Sequence, residues 1–217
     1  MNKNIISYYD RRAPEYEKVY QNPDEQEDLR RAEAIFQRTF AGKRVLEIAC
    51  GTGYWTERIA KTAESIHATD INASVIEIAR EKQIEGDVTF SVADMFEIES
   101  KEKFGAVFCG FIWSHILLED LNRFLKKLQD LTKPGGPIVF IDCNPVPGTK
   151  HDPNSITNTD KQGNTYQDRT LTDGSAHRVL KNFPTDDFLT LKLSTIATAI
   201  EIKRLKYYWI ASTRITH

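Results

Sequence analysis

The sequence predicts an α/β fold: a Rossmann-like, seven-stranded and mostly parallel sheet with helices on both faces and a C-terminal antiparallel hairpin. The first observation is that short apolar segments typical of strands alternate with helical segments between residues 44 and 143. Strands that alternate with helices form parallel units with right-handed crossovers. The second observation is that two strand-like segments, 195–201 and 206–212, lie so close in sequence that we expect them to pair antiparallel at the sheet edge.

The first 40 residues are polar and prone to form helices. Over 24–40, apolar residues recur at helical spacing, and Gly42 is placed to end that helix. We therefore expect residues 1–40 to form an N-terminal helical cap. In the alternating region the expected strands are 45–49, 66–70, 88–92, 105–109 and 137–143, and the expected helices are 56–62, 74–83 and 117–131.

Residues 144–183 are expected to form a long excursion from the sheet. Pro, Asn, Asp, Thr and Gly dominate 144–175, a composition that predicts little regular structure, and loops of that length are usually functional or mobile. A helix over 185–192, with Thr185 as its N-cap, is expected to follow. We expect all these segments to belong to one domain over 1–217.

Composition and charge exclude several classes of protein. The chain has 217 residues, 40% of them hydrophobic and 28% charged, and its formal net charge is -2 at pH 7. Binding to nucleic acid usually needs a basic surplus, so no nucleic-acid partner is expected. The apolar runs fall well short of the roughly 20 residues of a membrane-spanning helix, and residues 1–10 lack the apolar segment of a secretory signal. The chain has only three cysteines, which indicates reduced thiols and a cytoplasmic protein. We expect it to be a monomer or a homodimer.

The most informative stretch is VLEIACGTG at 45–53, where a hydrophobic strand runs into a glycine turn and then a helix. Gly51 and Gly53 permit backbone torsions and a close approach that side chains would block. In an open α/β sheet this turn lies at the carboxyl edge of the first strand, where ligands bind. Asp70 ends the next strand and Asp94 the third. In nucleotide-binding α/β folds such a carboxylate accepts hydrogen bonds from ribose hydroxyls.

Two other nucleotide-binding motifs do not match. The dinucleotide fingerprint needs a third glycine, and Thr56 stands at that position. The lysine-containing phosphate loop of nucleoside triphosphatases has no counterpart in the chain. A dehydrogenase is therefore disfavoured.

A further set of features follows in order along the chain. Met95 follows Asp94, and the turn at 134–136 has the sequence Pro-Gly-Gly before the fifth strand. Together with the glycine turn, these features resemble the class I S-adenosylmethionine-dependent methyltransferases over about residues 40–143. Ala49 departs from the pattern, because many members of that family have glycine there. The resemblance implies S-adenosylmethionine as cofactor, S-adenosylhomocysteine as product and a small molecule as methyl acceptor.

The resemblance also implies a set of cofactor-binding residues. Asp70 would bind the ribose diol, with Ile71 against the adenine. Asp94 would accept the adenine amino group, and Met95 would pack on the ring. Tyr16 would cover the cofactor, while the glycine turn and the end of the fourth strand would meet its methionyl part. The expected set is Tyr16, Glu47, Ala49, Gly51, Gly53, Asp70, Ile71, Asp94, Met95, Cys109 and Gly110.

Methyl transfer from a sulfonium is a direct displacement, so a base is needed only if the acceptor must lose a proton. His115 follows the fourth strand and is the first candidate for that base, because histidine changes charge near neutral pH. Asp142, near the end of the fifth strand, is the second candidate. A structural role is the competing interpretation for both. The remaining histidines show no ligand spacing, so no metal is expected.

The substrate-side residues are expected in the helical cap and the excursion at 144–183. Arg169 could pair with a substrate carboxylate through both branches of its guanidinium, although a structural ion pair is the competing interpretation. Trp113 and Tyr208 could form an apolar wall, or pack in the core.

Two functional alternatives stay open. The first, a protein or tRNA methyltransferase, would usually show an added domain or a basic face. The second, a non-catalytic protein that binds S-adenosylmethionine, would need a defective pocket.

Overall fold

A seven-stranded sheet forms the centre of the fold, and a second sheet has three strands. The computed structural model describes residues 3–215. Its strands are β1 (Arg44–Ile48), β2 (Ser65–Asp70), β3 (Val88–Val92), β4 (Ala106–Gly110), β5 (Pro137–Cys143), β6 (Asn158–Thr159), β7 (Thr165–Thr170), β8 (Ala176–Leu180), β9 (Ala197–Arg204) and β10 (Tyr208–Ile215).

The central sheet has the strand order β3-β2-β1-β4-β5-β10-β9. Strands β1 to β5 pair in parallel, whereas β10 is antiparallel to both β5 and β9. The chain therefore winds outward in one direction from β1 to β3 and in the other from β4 to β5, beyond which β10 and then β9 complete the sheet. The carboxyl ends of β1 and β4 mark the switch point where ligands bind in such sheets. The prediction of a mostly parallel sheet with a C-terminal hairpin is confirmed.

Six α-helices and four short 3₁₀ helices accompany the sheets within residues 3–215. Helix 186–193 begins where the sequence predicts it, because the Oγ1 atom of Thr185 accepts a hydrogen bond from the Phe188 amide over 3.2 Å. None of the described helices is long and apolar enough to cross a membrane. The α-helices are α1 (Lys3–Arg12), α2 (Gln26–Phe40), α3 (Tyr54–Ala60), α4 (Ala73–Glu81), α5 (Leu121–Leu131) and α6 (Asp186–Leu193), and the 3₁₀ helices are Ala13–Gln21, Pro23–Glu25, Trp113–His115 and Pro153–Ser155.

Two apolar clusters cover the two faces of the central sheet. Successive side chains of a strand point to opposite faces, and the strands alternate accordingly. On β5, Ile138 and Phe140 belong to one cluster, which also contains side chains of α5 and α6. Val139 and Ile141 belong to the other, which contains side chains of α2 and α3. Helices therefore lie on both faces, as predicted.

The prediction of little regular structure over 144–175 is wrong. Strands β6 and β7 lie in that region and form an antiparallel sheet with β8, which follows it. Val179 and Leu180 at the end of β8 are buried against Ile5 and Tyr8 of α1. The polar composition hid these strands, because the apolar surface that covers them comes from a helix about 170 residues away in the sequence.

Candidate active site

The glycine turn after β1 has a left-handed backbone at three alternate residues. The φ angles are 57° at Ala49, 55° at Gly51 and 80° at Gly53. A Cβ at Gly53 would lie 3.2 Å from the Cβ of Ala79 on α4, so the close approach of α4 also requires glycine there. Alanine in this conformation costs about 1–2 kcal/mol, which explains why glycine is common at the position of Ala49.

Asp70 ties the end of β2 to the glycine turn. Its Oδ2 atom accepts a hydrogen bond from the Gly51 amide over 3.0 Å, and its Oδ1 atom accepts one from the Asn72 amide over 2.9 Å. The side chain is only 9% exposed. Burial raises the pKa of Asp70, and the amide hydrogen bonds oppose that rise. The carboxylate is thus held at the carboxyl ends of β1 and β2, as the sequence predicts.

A cavity of about 70 Å³, which we call the sheet-edge cavity, lies over this turn. Many of the residues expected to bind a cofactor line it, and α1 adds Ile5, Ile6 and Tyr9. Helix α1 therefore closes one side of the cavity. The lining residues from the expected cofactor set are Tyr16, Ala49, Gly51, Asp70, Ile71, Met95 and Gly110.

A second cavity of about 340 Å³ adjoins the first. Four basic side chains line it, and we call it the basic cavity. Four residues line both cavities, so the two meet at a common wall. The basic side chains are Arg12, Lys150, Arg169 and Lys181, and the shared residues are Tyr9, Tyr16, Phe111 and His115.

His115 lies in this common wall with a defined tautomer. Its Nδ1 atom is 2.6 Å from the carbonyl oxygen of Leu180. Because that oxygen can only accept, Nδ1 carries the proton and donates a hydrogen bond to it. Nε2 therefore accepts a hydrogen bond from the Tyr9 hydroxyl, 2.7 Å away. Burial, with Lys181 as the next cause, lowers the pKa of His115 to about 3. The imidazole is thus neutral near pH 7, with the Nε2 lone pair turned toward Tyr9.

Asp142, the second candidate for the base, lines neither cavity. It is fully buried at the end of β5 and accepts hydrogen bonds from the Ser114 amide (2.9 Å), the Ser114 hydroxyl (3.1 Å), the Cys143 amide (2.7 Å) and Lys181 Nζ (3.1 Å). Burial favours its neutral form, but Lys181 and the other donors hold the pKa of Asp142 below its ordinary value. These contacts give Asp142 a structural role, because it holds Ser114 and Lys181 beside the end of β5. They do not support a role for Asp142 as a base.

Four residues of the expected cofactor set lie outside the lining of the sheet-edge cavity: Glu47, Gly53, Asp94 and Cys109. Asp94 accepts a hydrogen bond from the Phe96 amide through Oδ1, over 2.9 Å. Glu47 is buried, and its Oε2 atom has no hydrogen-bond partner among residues 3–215. Burial raises the pKa of Glu47 to about 8.

Of the three residues expected to contact substrate, two line the basic cavity and one lies in the core. Trp113 is 1% exposed and packs edge-on against Phe140 and Trp209 in the core, so the structure favours the packing interpretation. Arg169 and Tyr208 line the basic cavity. The Tyr208 hydroxyl donates a hydrogen bond to the carboxylate of Glu25, which fixes it at the cavity wall.

The sequence analysis placed the substrate side in the helical cap and the excursion, but it did not identify the individual residues of α1 or most of the basic residues around them. Tyr9, Arg12, Lys181 and His151 line the cavities but belong to no recognised motif. The available signal was the aromatic pair Tyr8-Tyr9 in a helix that also contains Ile5 and Ile6. Such a pair indicates burial against something, but the partner surface is formed only in the folded chain.

Comparison with known proteins agrees with this architecture. Residues 45–136 match the model of a methyltransferase domain family. The chain is 30% identical over 112 residues to a ubiquinone biosynthesis O-methyltransferase of Coxiella burnetii (strain Dugway 5J108-111), covering 50% of this chain and 47% of that protein. It is 31% identical over 100 residues to a malonyl-[acyl-carrier protein] O-methyltransferase of Priestia megaterium (strain DSM 319 / IMG 1521), covering 44% and 35%. The match spans less than half the length of these curated relatives.

Solved structures match over almost the whole chain. A DhpI–SAH complex has a TM-score of 0.78 at 26% identity, covering 99% of this chain and 96% of that one. A DhpI–SAM–HEP complex has a TM-score of 0.80 at 25% identity, covering 99% of both chains. The matched region contains the glycine turn, Asp70 and the strand order described above. The chain is therefore similar, in its fold and in its glycine turn, to the class I S-adenosylmethionine-dependent methyltransferases.

Proposed function

We propose that this protein transfers a methyl group from S-adenosylmethionine to oxygen or nitrogen of a small-molecule acceptor. The observation that carries the proposal is the position of Asp70, hydrogen-bonded to the Gly51 amide at the β1–β4 switch point, inside a cavity that adjoins a second one. Two kinds of relative support it: curated proteins named as O-methyltransferases, and structures described as complexes with SAM or SAH.

The residues of the sheet-edge cavity fit the parts of the cofactor. Gly51 presents bare backbone, and a Cβ there would reach to 3.7 Å from the Tyr16 ring. The methionyl part would pass beside this turn. Asp70 offers carboxylate oxygens for ribose hydroxyls, and Ile71 and Met95 offer apolar surface for the adenine. Glu47, Gly53, Asp94 and Cys109 would support this site from behind its lining.

When bound, S-adenosylmethionine would supply a methyl group activated by a sulfonium. The protein would hold the acceptor atom in line with that methyl group and keep water away, and such positioning can contribute roughly 7–11 kcal/mol. Tyr9 and Tyr16 are placed for this task, because both line the wall between the cavities. Ile5 and Ile6 of α1 close the outer side.

His115 and Tyr9 would take the proton of an acceptor that must lose one. Nε2 of His115 already accepts the hydrogen bond of the Tyr9 hydroxyl, so Tyr9 could pass its proton to Nε2 while it accepts the proton of the acceptor. The donation from Nδ1 to Leu180 keeps the imidazole in the tautomer that this relay needs. An acceptor that is already ionised would need no such relay.

We also propose that the protein is cytoplasmic, acts as a monomer or homodimer and has no nucleic-acid partner. The net charge of -2 and the three buried free cysteines support this proposal. The dimensions of the basic cavity favour a small acceptor over a macromolecule, since about 340 Å³ is within the range of small-molecule sites.

Isothermal titration with S-adenosylmethionine and S-adenosylhomocysteine tests the proposal first. We expect saturable binding of both by the folded protein, and a failure of both to bind at high micromolar concentration would refute it. A panel of small acceptors, read by release of S-adenosylhomocysteine, then separates an enzyme from a non-catalytic binding protein, which would bind without turnover.

A His115→Ala variant tests the proposed relay. We expect turnover of a hydroxyl or amine acceptor to fall by a larger factor than S-adenosylhomocysteine affinity, because His115 lines both cavities. His67→Ala is the matched control, because His67 lies on β2 outside both cavities and contacts Thr89 and Ser91. Full turnover by His115→Ala would remove His115 from the chemistry.

A further inference from the structure

We propose that the acceptor is an anion, and that Arg12 and Arg169 in the basic cavity bind its carboxylate or phosphoryl-type head group. This inference rests on the proposed methyltransferase function, because it names the class of molecule that enters beside the cofactor. It is carried by the charge balance of the basic cavity and by the arrangement of its two arginines.

Two of the four basic side chains of the cavity have acidic partners. Lys181 Nζ lies 3.1 Å from Asp142, and Lys150 Nζ lies 3.8 Å from Glu25. Arg12 and Arg169 have no carboxylate within 4.0 Å among residues 3–215. The cavity therefore contains two positive charges that the described protein does not neutralise.

Among residues 3–215, one acidic residue lines the cavity, and it is paired with a basic residue of the neighbouring strand. Asp168 is exposed on β7 and forms an ion pair with Arg178 of β8, with Nε 3.0 Å from Oδ1. Its neighbour Arg169 points to the other side of the strand, as alternation requires. Asp168 thus leaves the charge of Arg169 unopposed.

The guanidinium of Arg169 is held in place by a neutral group. Nε and Nη2 of Arg169 both donate to the side-chain oxygen of Gln167, over 3.2 and 2.6 Å. Gln167 is itself buried and donates to Ser155. A guanidinium oriented in this way keeps further N–H donors for a ligand, and its planar fork matches carboxylate and phosphoryl oxygens.

Arg12 approaches the same aromatic ring as Arg169. The guanidinium carbon of Arg12 lies 5.7 Å from the centre of the Tyr8 ring, and that of Arg169 lies 5.8 Å from it. Arg12 Nη1 also donates to the Tyr8 hydroxyl over 3.2 Å. Two cations that share one buried ring are stabilised by the ring, but they repel each other until an anion binds between or beside them.

A further polar atom in the cavity lacks a partner. His151 lines the basic cavity, and its Nδ1 atom is buried without a hydrogen-bond partner among residues 3–215. Burial lowers the pKa of His151, so its ring is neutral and can donate one hydrogen bond or accept one. A buried polar atom without a partner is unfavourable, and an oxyanion would satisfy it.

The cavity connects these groups to the site of chemistry. Arg12 lies 5.6 Å from the ring centre of Tyr16, which also lines the sheet-edge cavity. A molecule whose anionic group lies on Arg12 and Arg169 would extend toward Tyr16 and His115. The basic cavity would thus set the substrate class, while the common wall holds the methyl-accepting atom.

Titration of inorganic phosphate and of acetate into the protein saturated with S-adenosylhomocysteine tests the inference. We expect at least one of the two anions to bind, and Arg169→Gln and Arg12→Gln each to weaken that binding tenfold or more. The anion that binds more tightly distinguishes a phosphoryl-type head group from a carboxylate. Arg38→Gln is the control, because it removes an equal charge from an exposed position on α2 outside both cavities, and we expect binding unchanged.

Three results would overturn the inference: no binding of either anion by the unaltered protein, unchanged binding by Arg169→Gln, or an equal loss with Arg38→Gln. The affinity for S-adenosylhomocysteine, measured on each variant, separates this outcome from failure of the methyltransferase function. If the cofactor product does not bind at all, the proposed function fails, and titration of the unloaded protein still reports whether the anion site exists.

Discussion

The hydroxyl of Tyr9 donates a 2.7 Å hydrogen bond to Nε2 of His115, although 106 residues separate the two in the sequence. Tyr9 lies on α1, and His115 ends the 3₁₀ helix that follows β4. Both side chains line both cavities. This contact therefore joins the N-terminal helix to the centre of the site, and it places a hydroxyl and an imidazole where acceptor and cofactor would meet.

The free energy of unfolding should depend on pH in acid solution because His115 is buried. Its pKa is lowered to about 3 in the folded protein, against about 6.5 in an unfolded chain. Between these pH values the unfolded chain binds a proton at this residue and the folded protein does not, so the free energy of unfolding falls as the pH falls. We expect His115→Gln to make this loss shallower between pH 7 and 4, measured by urea denaturation. His151 contributes in the same direction, so part of the slope stays. An identical slope in the variant would contradict the assignment.

Asp70→Ala should weaken binding of S-adenosylhomocysteine by about 1–3 kcal/mol, because its carboxylate holds the glycine turn and faces the sheet-edge cavity. Isothermal titration measures the change. Asp94→Ala is the comparison, and we expect a smaller loss, since Asp94 lies outside the cavity lining and binds the Phe96 amide. Unchanged affinity in Asp70→Ala would remove this residue from the cofactor site.

Ala49→Gly should stabilise the fold. The substitution removes left-handed strain of about 1–2 kcal/mol at φ 57°, and it adds about 0.5–1 kcal/mol of backbone entropy cost. We expect the free energy of unfolding to rise by up to about 1 kcal/mol. Ala34→Gly is the control with the opposite sign, because Ala34 is exposed in the middle of α2, where glycine costs about 1 kcal/mol. A loss of stability in Ala49→Gly would show that the turn tolerates alanine without strain.

Glu47 should make the fold less stable in alkaline solution. Burial raises its pKa to about 8, whereas it is near 4.5 in an unfolded chain, so the folded protein binds the extra proton between these values. Stability then falls as the pH rises through this window. We expect Glu47→Gln to raise the free energy of unfolding at pH 8.5 by an amount on the order of 2 kcal/mol, and to change it little at pH 4.5. Equal stability of the two proteins at pH 8.5 would contradict a buried neutral carboxyl.

Lys181→Met should destabilise the protein by about 3–5 kcal/mol, because it leaves Asp142 buried without its cation. Chemical denaturation measures the loss. The double variant Asp142→Asn with Lys181→Met removes both charges, and we expect it to lose clearly less than the single variant. If the double variant is no better than Lys181→Met alone, the loss comes from packing and not from the unpaired charge.

The sequence by itself determined the central sheet and the position of the glycine turn and Asp70, where we propose that the cofactor binds. The pattern of apolar residues in strands and in the helices between them is a local property of the sequence. For this reason the bounds of β3 and β5 were predicted to the residue. The glycine turn and Asp70 are also local, because each directly follows a strand. Once strands are parallel, their carboxyl ends must meet at one edge, and the acid and the turn come together without further information.

Only the tertiary structure decided which residues line the basic cavity and the common wall. The sheet β6–β8, the seating of α1 against it and the Tyr9–His115 contact all depend on groups far apart in the sequence. The same holds for Asp142, a candidate base with a structural role as the competing interpretation, because only the folded chain places Lys181 beside it. Burial and charge pairing depend on residues that are distant in the sequence and meet only in the folded chain. A local sequence pattern therefore does not predict them.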